Sequence, residues 1–478
     1  MHKLLLISLS LFVSACAVGP DYSRPQATTP DAFRMDQEAG AGSSIANLPW
    51  WELLRDTELQ KLIRIALEEN KDLKRAVATI EEFQARVFVA RTDFAPQLSA
   101  AANIPAFGRQ TVFLFPGFAS PFNYYLLGNL SWEIDIWGRI RRSNEAAMAD
   151  LFRQQENRRA VVLELVSNVA QAYFELLQFD MQLDIAKRTL KSWDESVKIA
   201  QARLKGGVIA KLDADQFEAE RANAAARAAE LERQMVQKEN QLSVLLGRNP
   251  ATIPRGRSLT EQVMPPDVPA GLPSELLQRR PDIVRAEEEL AAVTARIGMA
   301  KADRFPKISL TGLLGVANPS FSKLFDNQGE FGVLGPSVAG PLLNAQILGF
   351  QQEAVEAQSR QALAAYEQSV IVAFKEVEDA LVAVSTVRAQ REAQVEQVEA
   401  LRSALRLANL RYKGGLANYL DVLIAQRNLF DAELALSGTH RLHLVSIVQL
   451  YKALGGGWSP IEGAPAAAVP VVSQNSGR

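Results

Sequence analysis

Hydrophobic residues recur at alternating steps of three and four along one long segment of the chain. This segment, from Arg139 to Lys205, contains no proline or glycine, and residues 350–413 form a second segment of the same kind. Such spacing predicts coiled-coil helices, and at about 1.5 Å per residue the first would be roughly 100 Å long. The pattern includes Val162, Leu165, Val169, Ala172, Leu176, Phe179, Leu183, Ala186, Leu190, Trp193, Val197, Ala200 and Leu204.

Two shorter segments with partial alternation precede each long helix. They span about 97–107 and 122–137 in the first half of the chain, and about 307–317 and 331–343 in the second. Segments near ten residues fit transmembrane β-strands, although two soluble hairpins fit the same pattern. Four strands cannot close a barrel, and open sheet edges are excluded from lipid. A membrane location would therefore require oligomerisation, and three chains would provide twelve strands.

The chain contains an internal duplication. Arg203-Leu-Lys-Gly-Gly207 recurs as Arg411-Tyr-Lys-Gly-Gly415, and Leu246-Gly247 recurs at the same offset as Leu454-Gly455. A repeat of this length indicates that each half forms one structural unit. The predicted organisation is a signal peptide (1–15), a lipidated N-terminal segment (16–60), a first repeat (61–248), a linker (249–274), a second repeat (275–458) and an unstructured tail (459–478).

Composition narrows the possible functions. The 52 Lys and Arg residues are balanced by 54 Asp and Glu residues, so nucleic acid is not expected as a partner. The one cysteine excludes an intrachain disulfide, and the three histidines, His2, His440 and His443, leave little material for a metal site or a catalytic imidazole. We therefore expect a non-enzymatic protein without a metal or cofactor.

The N-terminus has the features of an export signal. A short positive region is followed by the apolar run Leu4–Val13, which is too short to span a bilayer, and then by Val13-Ser-Ala-Cys16. This tetrapeptide resembles the lipobox of bacterial lipoproteins, which implies a covalent lipid on Cys16. Ala17 follows, where an aspartate often retains such proteins in the inner membrane, so the resemblance implies the outer membrane of a Gram-negative cell. No later run of 18 apolar residues predicts a membrane helix.

Several motifs together resemble one family. They are the lipobox, Pro49-Trp50-Trp51, Leu272-Pro-Ser-Glu-Leu-Leu277, Arg279-Arg-Pro-Asp282 and the duplicated Gly-Gly turns. The chain resembles outer-membrane efflux lipoproteins of the TolC superfamily, OprM/NodT branch, over essentially its whole mature length. The resemblance implies a homotrimer with a twelve-stranded β-barrel in the outer membrane and a long α-helical barrel in the periplasm. It also implies two partners, a periplasmic adaptor protein and an inner-membrane transporter of the resistance-nodulation-division type.

The same resemblance implies a gate at the periplasmic end. Asp421 matches the family's constriction aspartate, and three copies would form an acidic ring that favours cations. A second acid found in some members is Ile424 here. Tyr412 and Asp213 match a tyrosine and an aspartate that hydrogen-bond in the closed state of some members, whereas an arginine of that latch is Ala417 here. Alternatively, Asp213 and Asp421 stabilise helix N-termini after the glycine turns.

The resemblance places adaptor docking at the two glycine turns, although turn geometry alone would also explain the glycines. The residues concerned are Gly206, Gly207, Val208, Gly414, Gly415 and Leu416. Two other functions remain open from sequence, namely a lipid-anchored periplasmic coiled-coil scaffold and a periplasmic hydrolase. The transported compounds and the role of the apolar segment Phe113–Phe118 are also open.

Overall fold

A computed structural model describes most of the chain. It covers residues 17–26, 29–30, 33–34, 45–103, 124–263, 273–318, 320–326, 329–341 and 345–457. The predicted signal peptide, Cys16, the apolar segment Phe113–Phe118 and the predicted tail lie outside these residues. The α-helices and β-strands, in chain order, are α1 (Trp50–Leu53), α2 (Thr57–Glu69), α3 (Lys71–Thr92), β1 (Gln97–Asn103), β2 (Tyr124–Ile134), α4 (Arg139–Lys205), α5 (Lys211–Leu245), α6 (Leu276–Arg279), α7 (Pro281–Ala302), β3 (Lys307–Asn318), β4 (Glu330–Ala339), α8 (Ala345–Lys413) and α9 (Tyr419–Ala453).

The two long helices are confirmed. α4 has 67 residues and the predicted bounds, and α8 has 69. α8 begins ahead of the glycine-free segment because Gly349 lies within the helix, where a single glycine is tolerated. Much of the predicted seam of α4 is buried, including Val169, Leu176 and Ala186. The three-and-four spacing therefore identified the packed face of this helix.

The four strands form one antiparallel sheet in the order β1-β2-β3-β4. β2 ends at Ile134, earlier than predicted, because the Asp135 carboxylate accepts hydrogen bonds from the backbone N–H groups of Ile140 (2.9 Å) and Arg141 (2.9 Å). This carboxylate thus satisfies amides at the start of α4. β4 ends at Ala339, ahead of Pro341, which cannot donate a ladder hydrogen bond.

The chain divides into two compact units. The first comprises residues 1–26, 78–156 and 285–368, and the second comprises 27–77, 157–284 and 369–478. Each unit therefore combines equivalent pieces of both repeats, so neither compact unit coincides with one repeat. One repeat alone therefore cannot complete either core.

The first unit contains the sheet and an extended N-terminal segment, Ala17–Gln26. The backbone N–H of Val18 donates to the carbonyl of Trp137 at 3.0 Å. Further along, Arg24 makes two hydrogen bonds to the Glu287 carboxylate on α7, at 2.5 and 2.7 Å. The segment is thereby tied both to the chain just beyond β2 and to α7.

The second unit contains the largest apolar core, to which α2, α4, α5, α8 and α9 contribute. Within it, the buried carboxylate of Asp56 begins α2 by accepting from the backbone N–H groups of Glu58 and Leu59. It also accepts from the Tyr173 hydroxyl, the Arg257 backbone N–H and the Gln262 side-chain amide. One carboxylate thus connects the start of α2 with α4 and with the segment after α5.

The Arg-Arg-Pro-Asp motif is a structural element of the second unit. The buried Arg280 guanidinium donates to Asp282 (2.6 and 3.0 Å), to Glu376 on α8 (2.7 Å) and to the carbonyl of Ala453 at the end of α9 (2.8 Å). Burial alone would lower the pKa of Arg280, but these carboxylates hold it above its ordinary value. The motif therefore connects the start of α7 with α8 and with the end of α9.

Among the described helices, α4 alone has an 18-residue stretch apolar enough to cross a membrane by length and composition. However, 61% of that stretch is buried within the protein, as in the core helix of a folded domain. The apolar composition here reflects packing within the protein.

Candidate functional site

The two glycine turns have the same geometry. After α4, the N–H of Val208 donates to the carbonyl of Arg203 (2.9 Å) and the N–H of Gly207 to that of Leu204 (3.0 Å), and Gly207 has a φ of +69°. This is a Schellman motif, which needs a left-handed residue after the helix. After α8, Gly415 takes the same place with a φ of +72°. Backbone conformation therefore explains Gly207 and Gly415, whereas Gly206 and Gly414 have no positive φ.

Apolar side chains project from both turns. Val208 is 70% exposed and Leu416 is 76% exposed, and they occupy equivalent positions in the two repeats. Large exposed aliphatic residues at matching turns form a surface suited to contact with another protein. The structure thus presents the predicted docking residues at the surface, and their partner stays a prediction.

The two predicted gate aspartates lie in the first turns of α5 and α9. The Asp213 carboxylate accepts from the backbone N–H of Ala210 at 3.3 Å, so it satisfies an amide at the start of its own helix. Asp421 is at the equivalent position of α9 and is exposed. The local role at a helix N-terminus is therefore observed for Asp213, and the gate role of both residues stays a prediction.

Within one chain, the third predicted gate residue, Tyr412, pairs with Arg203 rather than with Asp213. The Arg203 guanidinium donates to the Tyr412 hydroxyl and lies 4.8 Å from the centroid of its ring. The Tyr412 ring also makes an edge contact with Tyr419, with centroids 5.2 Å apart. Charge–π attraction and the hydrogen bond together hold the end of α8 against the end of α4.

Aromatic packing extends inward from this pair. Tyr419 stacks on Phe217 with ring centroids 3.7 Å apart, and Phe217 meets the buried Trp193 edge-on at 6.4 Å. Burial raises the pKa of the Tyr419 hydroxyl, which keeps it neutral. Sequence reasoning placed Trp193 in the helix seam but did not identify Arg203, Phe217 or Tyr419 near the predicted gate. The sequence signal that could have identified these three residues is their position near the ends of helices that the glycine turns join.

No group of three or more His, Cys, Asp or Glu side chains within the described ranges is placed to hold a metal ion. His443 is buried, and its Nδ1 atom lies 3.2 Å from the Arg391 guanidinium. For His440, burial and the charge of Arg391 both lower the pKa of the imidazole. The two histidines therefore belong to the packing of α8 against α9.

Comparison with known proteins identifies the family. The profile of the family described as outer membrane efflux protein matches residues 62–248 and 272–456. The chain is 34% identical over 467 residues to the probable efflux pump outer membrane protein TtgC of Pseudomonas putida, covering 95% of this chain and 96% of TtgC. It is 32% identical to the cation efflux system protein CusC of Escherichia coli, covering 95% of this chain and 99% of CusC.

Solved structures agree with the sequence matches. The crystal structure of the open state of the Neisseria gonorrhoeae MtrE outer membrane channel superimposes with a TM-score of 0.81 at 32% identity, covering 92% of this chain and 98% of MtrE. A crystal structure of CusC superimposes with a TM-score of 0.80 at 31% identity, covering 92% and 100% of the two chains. MtrE is described as an outer membrane channel, CusC as forming a transmembrane channel, and TtgC as an outer membrane protein of an efflux pump. The chain therefore belongs to the outer membrane efflux protein family and is an outer-membrane efflux channel.

Proposed function

We propose that three copies of this chain form the outer-membrane duct of a tripartite efflux pump. The observation that carries this proposal is the sheet, in which β1 and β4 each have one neighbouring strand within the described part of the chain. Open edges are not tolerated in lipid, so these strands need partners from other copies. Two copies would give a barrel of eight strands, and side chains fill the interior of a barrel of that size. A barrel of twelve strands leaves room for compounds to pass.

The native mass of the protein extracted from an outer-membrane fraction in mild detergent tests this assembly. We expect a mass of three chains that falls to one chain only after heating in strong detergent, as closed barrels behave. A monomer in the unheated extract, or absence from the outer-membrane fraction, would contradict the duct. Either result would favour the alternative of a lipid-anchored periplasmic coiled-coil scaffold.

We also propose that Cys16 carries a covalent lipid. Support comes from the lipobox Val13-Ser-Ala-Cys16, which follows the apolar run Leu4–Val13 of the export signal. Mass spectrometry of the mature N-terminus tests this proposal. The expected result is a diacylglyceryl-modified Cys16, and an unmodified thiol there would refute it.

The proposed gate lies at the ends of α4, α5, α8 and α9, with Asp421 as its acidic ring and Asp213 and Tyr412 as supporting residues. Three like charges held close in a narrow opening attract cations and repel anions. We expect Asp421→Ala to raise the single-channel conductance or to reduce cation preference in a planar bilayer. Asp431→Ala removes the same charge from an exposed position further along α9 and is the matched control. Unchanged conductance and selectivity in Asp421→Ala would contradict the gate assignment.

The proposed partners are a periplasmic adaptor, which docks at Val208 and Leu416, and an inner-membrane transporter of the resistance-nodulation-division type, which supplies the energy. A photo-crosslinking residue at Val208 or Leu416 tests the docking. Val244 is the control, since it is 66% exposed but lies near the other end of α5. We expect adaptor adducts from the two turn positions and none from position 244. The reverse pattern would exclude the turns as the docking surface.

The duct conducts passively and has no catalytic turnover in this proposal. Relatives carry names that refer to toluene, solvents, antibiotics or cations. The compounds that we propose for this duct belong to the classes in these names, which are apolar organic compounds, antibiotics and cations.

A further inference from the structure

The two faces of the sheet differ in polarity. Directly paired residues on neighbouring strands share a face, so the register assigns every strand position. One face is apolar along most of its length, with exposed leucines such as Leu98, Leu314 and Leu334. The other face carries Gln97, Ser131 and other polar side chains. In an outer-membrane channel the apolar face meets lipid and the polar face lines the aqueous lumen.

The lumen face has an apolar band in its middle. In one tier, Leu313 pairs with Val333, and in the next, Leu127 pairs with Gly315, which pairs with Phe331. The band consists of Leu127, Leu313, Phe331 and Val333, and its two tiers are about 7 Å apart along the strands. These positions break the alternation expected for barrel strands, in which lumen residues are polar.

The side chains of the band are accessible, and that of Leu127 packs over a glycine. Leu313, Phe331 and Val333 are 37%, 38% and 69% exposed. Leu127 lies across Gly315, since a Cβ on that glycine would come within 2.6 Å of Leu127 Cδ2. Glycine at this position leaves space for the leucine to lie flat on the sheet. The band is therefore a flat apolar surface that faces the lumen.

Charges on the lumen face of the described strands are paired. The Glu133 carboxylate accepts two hydrogen bonds from Arg139, both 2.8 Å, and Lys307 lies 3.4 Å from Asp303. Glu133 is the acidic residue of this face within the described strands. A cation passing this part of the lumen therefore meets a neutralised carboxylate, whereas an apolar compound meets exposed hydrocarbon.

We propose that the band Leu127–Leu313–Phe331–Val333 is a contact surface for small apolar or amphipathic organic compounds in transit, and that it favours these over metal cations. The inference rests on the proposed trimeric duct, in which the band would occur three times around the lumen. Weak contacts of this kind let a compound enter from water and leave again, which conduction requires. They stabilise apolar compounds by removing hydrocarbon surface from water.

Block of ionic current in a planar bilayer tests this inference with two probes of equal charge. Tetrabutylammonium and tetramethylammonium differ in apolar surface, so the ratio of their half-blocking concentrations reports apolar contact. Val333→Thr is nearly isosteric, and we expect it to raise the half-blocking concentration of tetrabutylammonium about fourfold, the effect of one buried CH₂ group. Leu313→Asn should raise it further, and tetramethylammonium should be unaffected.

Asn129→Leu is the reverse variant, because Asn129 pairs with Leu313 in the same tier. It should lower the half-blocking concentration of tetrabutylammonium. If the ratio stays within twofold of the wild-type ratio in Val333→Thr and in Asn129→Leu, the band is not a contact surface. A change in potassium-to-chloride selectivity with an unchanged ratio also overturns the inference. Failure of the wild-type protein to form pores would instead refute the proposed duct, and the inference with it.

Discussion

Replacing Asp56 by alanine should release the segment that follows α5 from the core of the second unit. Asp56 is 2% exposed, and its carboxylate accepts from Gln262 Nε2 at 2.8 Å and from the backbone N–H of Arg257 at 3.1 Å. Both donors lie in that segment. The variant leaves these donors without their charged acceptor while the apolar contacts around them remain.

The magnitude follows from the number of bonds. A hydrogen bond to a charged group contributes about 1.5–3 kcal/mol, so two of them give about 3–6 kcal/mol for opening this segment. At about 1.4 kcal/mol per factor of ten, exchange of the Arg257 amide hydrogen should accelerate by at least about 100-fold. Asp56→Asn should have an effect in the same direction, because its NH₂ group faces other donors.

Hydrogen exchange measured by mass spectrometry on the assembled protein is the assay. Glu261→Gln is the matched control, since it removes an exposed carboxylate whose hydrogen bonds, among the described residues, go to Ser258 of the same segment. Acceleration of less than tenfold at Arg257 in Asp56→Ala would refute the reasoning. Equal acceleration in the control would show that charge removal anywhere in the segment has this effect.

Acid should reproduce the Asp56 effect in the wild-type protein. Burial alone would raise the pKa of Asp56, but hydrogen bonds from Gln262, Leu59 and Arg257 hold it below its ordinary value. Because the pKa of Asp56 is lower in the folded state than in the unfolded state, ionised Asp56 stabilises the folded state at every pH above its unfolded-state pKa. This stabilisation is lost as the pH falls through the folded-state pKa. Protection of the Arg257 amide should therefore persist at pH 5 and decline below about pH 4.

Three further predictions concern other parts of the chain. Arg280→Met removes the hydrogen bonds to Asp282, Glu376 and the carbonyl of Ala453. Since the two carboxylates are 34% and 46% exposed, water can solvate them in the variant, and we expect it to destabilise the second unit by about 1–3 kcal/mol and to lower the temperature of thermal unfolding; an unchanged temperature would contradict this. Gly207→Ala places a Cβ at positive φ and should cost about 1–2 kcal/mol, seen as faster proteolysis at the turn, whereas Gly206→Ala should be nearly neutral. Burial and two neighbouring glutamates raise the pKa of Glu288 to about 7, so ionisation destabilises the fold as the pH rises from about 4.5 to about 7, and Glu288→Gln should raise the unfolding temperature at pH 8 but not at pH 4. Equal shifts at both pH values would exclude ionisation as the cause.

The interleaving of the repeats could not be predicted from their similarity. The matching glycine turns after Lys205 and Lys413 showed the duplication and placed the four long helical segments. They did not show that residues 78–156 pack with 285–368 rather than with the rest of their own repeat. Sequence similarity records which segments are equivalent, whereas packing depends on which apolar faces meet in three dimensions.

The candidate gate shows the same division between sequence and structure. The resemblance to the family selected Tyr412 and Asp213 as a pair, but within one chain Tyr412 bonds to Arg203 and Asp213 satisfies an amide of its own helix. The same residue types could form the Tyr412–Asp213 pair or the contacts that are observed. The choice depends on how far α8 slides along α4, and no local pattern reports that offset.

The sequence by itself determined the long helices, the four strands, the duplication and the family. The extent of α4 follows from the spacing of its apolar residues and from the absence of glycine and proline between Arg139 and Lys205, which are local properties of the chain. Only the tertiary structure decided which polar groups meet, as Arg203 meets Tyr412 across 209 positions and Asp56 meets Gln262 across 206. Hydrogen bonds need atoms placed to within a few tenths of an ångström, and that placement is a property of the packed helices as a whole.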